Sequence, residues 1–196
     1  MRRLFDRERA GRPPRVRWAL EEVGTPYELV MLTAEELASP EHRSRHPLGR
    51  VPVLEDHEGS LFESAALCLQ VADEHPESLL IGALGTRERG LVYQWTLFAM
   101  AELEPPLITV ISASDPAVAN AAAARERFEV AVGVIEAALD GHDYLVADRF
   151  SVADIVVGGV LTSARRRDVL PPAVRVSAYL ERLAARPAYC RAYPPH

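Results

Sequence analysis

The hydrophobic pattern of this chain changes period about a third of the way along, and no other feature limits its possible folds so much. Up to residue 76, short β-prone runs alternate with amphipathic segments. RLF at 3–5 and TPYELVML at 25–32 read as strands. Between them PPRVRWALEEVG, 13–24, reads as a helix: proline suits its opening positions, Val16, Ala19, Leu20 and Val23 recur at helical spacing, and Gly24 suits its end. AEELASPEHR, 34–43, is a short polar helix, VPVLED-HEG-SLF a strand hairpin, and ESAALCLQVADEHP, 63–76, a helix ended by Pro76. The order β-α-β-α-β-β-α is that of a mixed sheet with helices packed on it. From about residue 85 only helical patterns remain, over 86–114, 116–141, 150–166 and 174–186, with Pro105-Pro106 expected to kink the first. The expected division is an α/β domain over 1–76, a linker over 77–85 and an all-helical domain over 86–196.

Composition narrows the function classes. A net charge of −6 argues against a nucleic-acid surface, which carries a basic excess. The start, MRRLFDRERAGRPP, lacks the apolar core of a secretory signal, and no apolar run is long enough to span a bilayer. Cys68 and Cys190 make neither a disulfide framework nor a zinc pattern, and His46 and His57 lack a partner spacing for metal. A cytoplasmic protein without bound metal is expected. All 22 basic residues are Arg, the mark of a GC-rich coding sequence such as a bacterium's.

One helix start is chemically specific. Ser151 and Asp154 are spaced as the N-cap and third helical residue of a capping box, with Phe150 and Ile155 placed as a hydrophobic staple. This is a folding element, not a site.

The segments RVRWALEEVGTPYELV, HPLGRVPVLEDHEGSLFESAAL, YQWTLFAMAELEPPL, DYLVADRFSVADIVV and RPAYCRAY, in that order, resemble the cytosolic glutathione transferases along nearly the whole chain. The resemblance implies an α/β thioredoxin-like N-terminal domain, an all-α C-terminal domain, glutathione as co-substrate, a small electrophile as second substrate, and a homodimer. It implies a cis bond before Pro52, with the N–H and C=O of Val51 turned outward to pair with the cysteinyl backbone of glutathione, like one rung of strand addition. It also implies that Ser64 holds the γ-glutamyl carboxylate at a helix N-terminus, where free N–H groups favour an anion. Glu63 would meet the adjacent ammonium, and Arg50 the glycyl carboxylate. The alternative for Glu63 and Ser64 is an ordinary helix cap.

The resemblance breaks where relatives place a Tyr, Ser or Cys against the sulfur. DRERAGRPPR, 6–15, contains no hydroxyl or thiol, and aligning on RVR puts Ala10 or Gly11 at that position. Lowering a thiol pKa by two units takes about 2.7 kcal/mol. A single hydrogen bond to a charged group, worth about 1.5–3 kcal/mol, is enough. Pro13 and Pro14 have no N–H to give, so Arg12, or less readily Arg9, is the candidate catalytic cation, against a plain solvated arginine pair. Three functions stay open: a glutathione transferase acting on a small apolar electrophile, a non-catalytic binding module of the same fold, and an enzyme using another low-molecular-weight thiol. Tyr93, Trp95, Phe98 and Glu102 lie on the helix that lines the second-substrate cleft in relatives.

Overall fold

The structure, a computed structural model, describes residues 1–113 and 119–193. Residues 114 and 116–118 of the two expected central helices, and the last three residues of the chain, lie outside the described residues. The chain divides into two compact units, Met1–Leu79 together with the residues from Pro187 onward, and Leu80–Arg186.

The first unit is built on four strands, β1 (Arg2–Asp6), β2 (Tyr27–Met31), β3 (Val53–Glu55) and β4 (Ser60–Phe62), in the order β2-β1-β3-β4. β1 runs parallel to β2 and antiparallel to β3, and β4 closes the hairpin with β3. Successive strand residues point to opposite faces, yet Leu4 and Phe5 are both buried because both faces are covered. Phe5 faces α3 (Pro40–Arg45), where the Arg45 guanidinium lies over its ring at 4.7 Å. On the other face α1 (Pro13–Val23) packs against α4 (Ser64–Glu74). α1 has prolines in its first turn and stops at Gly24, whose φ of 69° suits a residue without Cβ. The expected helix over 34–43 is two pieces, α2 (Ala34–Ala38) and α3, because Ser39 is extended ahead of Pro40 and caps the second piece.

At the C-terminus the two compact units do not follow the linear order of the chain. Residues from Pro187 onward belong with the first unit, not with a helical domain over 86–196. α10 (Pro187–Ala192) lies on α1: Tyr189 meets the Trp18 indole edge-on at 5.0 Å, and Tyr193 stacks on Tyr189 at 4.6 Å. Arg17 Nη2 also donates to the Arg191 carbonyl at 3.1 Å. The division between the two units falls between Leu79 and Leu80, inside the stretch expected as a linker.

The second unit is helical: α5 (Arg87–Phe98), a π-helical turn (Ala99–Leu103), α6 (Glu104–Ser112), α7 (Ala119–Ala138), α8 (Val152–Arg165) and α9 (Val174–Ala184). Pro105 and Pro106 open α6, where the missing N–H groups do no harm, and the irregular turn falls just ahead of them. α8 is buried at every position from 152 through 162, as its all-round apolar sequence requires. No helix among the described residues is long and apolar enough to cross a membrane.

Candidate functional site

Strand register gathers the sequence-predicted residues at one end of the sheet. Phe5 pairs with Val53, and Val53 with Phe62. One step further along the same register sets Asp6 and Glu63 on either side of Pro52. The loop 7–12, the Val51-Pro52 pair and the Glu63-Ser64 pair therefore meet at this end, in the first unit.

The Val51–Pro52 bond is cis. Val51 precedes the ladder, and among the described residues neither its N–H nor its C=O has a hydrogen-bond partner. A half-buried backbone unit of this kind asks for a partner. Arg50 is exposed, and its carbonyl accepts from His42 Nε2 at 2.9 Å.

Glu63 sits at φ 73°, ψ 108°, a conformation that a side chain with a Cβ seldom takes. Its side chain makes no cap hydrogen bond to α4. Ser64 follows on the stripe Ser64, Leu67, Cys68, Val71, Ala72, the i, i+3, i+4, i+7, i+8 set that α4 turns inward. Its hydroxyl is therefore carried into the buried face, and the Oγ has no hydrogen-bond partner. The helix-cap alternative does not describe these two residues, because neither side chain caps. A buried, unpaired hydroxyl thus stands beside the N–H groups that open an eleven-residue helix, and such groups favour negative charge.

The arginines of the loop part company. Arg9 is exposed, at φ 58°, with its guanidinium 3.7 Å from Glu8. Arg12 is half-buried at the head of α1 and makes no side-chain cap bond there. The first free N–H of that helix, on Arg15, is already bonded to the Arg12 carbonyl at 3.1 Å. Ala10 and Gly11 carry no donor side chain.

Asp6, expected as the first residue of the loop after the first strand, is the last residue of β1 and a buried carboxyl at the edge of this site. Burial pushes its pKa up to about 6, against the Arg7 N–H that donates to it at 2.6 Å and the charges of Arg17 and Arg7. The folded protein thus holds this proton more tightly than the unfolded chain, so the stability Asp6 lends is present below about pH 3.8 and is lost as pH rises through about 6. Asp6→Asn is expected to be more stable relative to wild type at pH 7 than at pH 3.5, read from urea unfolding at the two values. An equal difference at both would show that the carboxyl is not desolvated.

Cys68 is fully buried, its Sγ donating weakly to the Arg15 carbonyl at 3.5 Å, and burial pushes the thiol up to about 12. It is packing and not a nucleophile. Among the described residues no group of three or more His, Cys, Asp or Glu side chains is arranged to hold a metal. In the second unit, Tyr93 is exposed and accepts from Arg89 Nε at 2.6 Å, Trp95 and Phe98 meet edge-on at 5.7 Å, and Glu102 lies 3.6 Å from Arg127.

The family model of the glutathione S-transferase N-terminal domain matches residues 3–73, and that of the C-terminal domain matches residues 98–187. Glutathione S-transferase 4 of Zea mays is 33% identical over 186 residues, covering 87% of this chain and 82% of that protein. Glutathione S-transferase GST-4.5 of Xanthomonas campestris is 28% identical over 167 residues, 82% of either chain. Among solved structures, a glutathione transferase from Methylococcus capsulatus superposes with a TM-score of 0.88 at 27% identity, over 98% of this chain and 97% of that one. The fold, a thioredoxin-like sheet domain with a helical domain, is that of these transferases. The chain belongs to the glutathione S-transferase family.

Proposed function

We propose that the protein binds glutathione where Val51, Glu63 and Ser64 meet, and joins its thiol to a small, apolar electrophile. The observation that carries this reading is the buried, partnerless Ser64 hydroxyl at the head of α4, next to the unpaired backbone of Val51. Ser64 Oγ and N–H take the γ-glutamyl carboxylate, Glu63 the ammonium, the Val51 peptide edges the cysteinyl unit, and Arg50 the glycyl carboxylate. The fold supplies proximity, and a cation near the sulfur supplies the thiolate, which is what addition to an electrophile needs. The chain is read as a cytoplasmic homodimer, as the family resemblance implies. Calorimetric titration with glutathione tests binding, and conjugation to chlorodinitrobenzene then tests turnover. No heat of binding at millimolar glutathione would overturn the reading; a screen of other low-molecular-weight thiols by thermal shift would then look for a replacement ligand.

Arg12 is assigned the thiolate-stabilising role. Arg12→Ala is expected to raise the pKa of bound glutathione's thiol by about one to two units and to lower kcat at pH 7 by about 10- to 100-fold, with binding little changed. Ultraviolet titration of the thiolate measures the first effect directly. An unchanged thiol pKa would remove Arg12 from the mechanism.

One observation favours a second reading. The loop 7–12 has no hydroxyl or thiol side chain, so the site is furnished to hold a thiol peptide more fully than to activate it. Tight glutathione binding with no turnover on any electrophile would identify a ligand- or partner-binding protein of this fold.

A further inference from the structure

Two buried histidines underlie the segment that presents Val51, and neither role was visible in the sequence. His42, on α3, has its Nε2 2.9 Å from the Arg50 carbonyl. A carbonyl only accepts, so Nε2 carries the proton and donates, and Nδ1 is left as a bare lone pair, buried and without a partner. His46 works in the opposite sense: its Nδ1 lies 3.2 Å from the Leu48 amide, which donates to it. Its ring lies against Phe62 of β4 at 4.7 Å. Between the two, Gly49 N–H donates to the His46 carbonyl at 2.7 Å. Gly49 itself has φ 60°, and a Cβ there would meet the Leu37 carbonyl at 2.8 Å. Residues 46–50 are thus pinned at Leu48, Gly49 and Arg50, and the next residue is Val51.

We propose that His42 and His46 are positioning residues that lock this segment, setting where the Val51 peptide and the Arg50 side chain meet the ligand, and that the His46 hold on the segment lasts only while its imidazole is neutral. A second proton on His46 would turn its Nδ1 into a donor facing the Leu48 donor. The groups that bear electrostatically on His46 are Glu63 at the head of α4, His42 on α3 and Arg50 in the loop. Burial holds the His46 imidazole below its usual 6.5; Glu63 opposes this, while His42 and Arg50 reinforce it. The unfolded chain takes up the proton first, so the lock is complete above about pH 6.5 and weakens as pH falls through the folded value. In its bearing on the ligand, the proposal rests on the glutathione reading above.

The test pairs variants that remove one hydrogen bond with variants that restore it. His46→Leu keeps apolar bulk against Phe62 but loses the acceptor, and His46→Asn returns an acceptor through its amide oxygen. His42→Phe loses the donor, and His42→Gln returns one through its amide nitrogen. With no ligand present, the Leu48 amide is expected to lose hydrogen-exchange protection in His46→Leu and to regain it in His46→Asn. Glutathione Kd should weaken about three- to tenfold in His46→Leu and His42→Phe, the range of one lost hydrogen bond, and recover to within about twofold in the Asn and Gln variants. Between pH 7.5 and 5, Kd should weaken more for wild type than for His46→Asn, whose side chain does not titrate. Should either non-hydrogen-bonding variant fail to fold, the wild-type and Asn pH profiles decide alone. Equal Leu48 protection in the Leu and Asn variants, or identical pH profiles, would overturn the lock even if glutathione binds. Absence of binding by wild type at every pH would overturn the ligand reading, while the ligand-free exchange still scores the lock.

Discussion

Asp154→Ala is expected to lower unfolding free energy by about 3–5 kcal/mol, the range for breaking a buried charged network. The carboxylate stands at the head of α8, completely buried. It accepts four hydrogen bonds: from the Ser151 N–H at 2.8 Å, the Ser151 hydroxyl at 3.0 Å, the Leu145 N–H at 3.1 Å and the Tyr179 hydroxyl at 2.9 Å. It therefore ties the first turn of α8, the preceding loop and α9 together from one point. Alanine leaves four donors in a dry interior, and each orphan costs about 1–3 kcal/mol, reduced where the loop relaxes toward water. The wild-type group is itself not free of cost: burial pushes its pKa up to about 6, with the Leu145, Tyr179 and Ser151 hydrogen bonds pulling the other way. Asp154→Asn, which keeps one acceptor oxygen and sheds the charge, should thus lose much less than alanine. For a chain of this size each kcal/mol moves Tm by about 2–4 °C, so the alanine variant should melt roughly 6–20 °C lower. A shift below about 3 °C would mean that the four hydrogen bonds are replaceable and that the carboxylate is not the organiser of this corner.

The second large effect separates stability from binding. In Ser64→Ala the lost hydroxyl has no partner in the protein, so its removal costs the fold nothing and relieves a buried polar atom. Unfolding free energy should stay level or rise by up to about 1 kcal/mol, while glutathione binds more weakly by about 10- to 100-fold, the worth of a hydrogen bond to a carboxylate. The opposite signs are what matter. Loss of stability together with binding would make Ser64 an ordinary structural serine, and unchanged affinity would move the carboxylate elsewhere.

The parts legible in the sequence were those whose signals are local. Ser151 and Asp154 announced the head of α8 three residues apart. VPVLED-HEG-SLF announced a hairpin, and the structure pairs Val53 with Phe62 across it. Glu63 and Ser64 stood at the start of the next helix as expected, yet what sets them apart could not be read from their identities. The Glu63 backbone conformation and the missing partner of Ser64 Oγ are properties of the folded chain that residue identity does not encode. Linear order does not reveal that Tyr189 of α10 lies against Trp18, 171 positions away by their numbers. The long helix around 99–103 was expected to yield at Pro105-Pro106. The prolines instead fall in the first turn of α6, where no N–H is needed, and the irregular turn precedes them. His46 was weighed only for metal spacing and His42 gave no signal at all, because their partners here are a backbone amide and a backbone carbonyl. Asp6 was hidden for a similar reason: a strand's last residue gives no sign of how deeply its carboxyl is covered.

The most direct measurement is a crystal structure of the protein grown with glutathione. The γ-glutamyl carboxylate should lie about 2.5–3.0 Å from Ser64 Oγ, with the Val51 N–H and C=O both paired to the cysteinyl backbone. Tripeptide density away from the head of α4, or a Ser64 hydroxyl still without a partner in the ligand-bound protein, would contradict the site described.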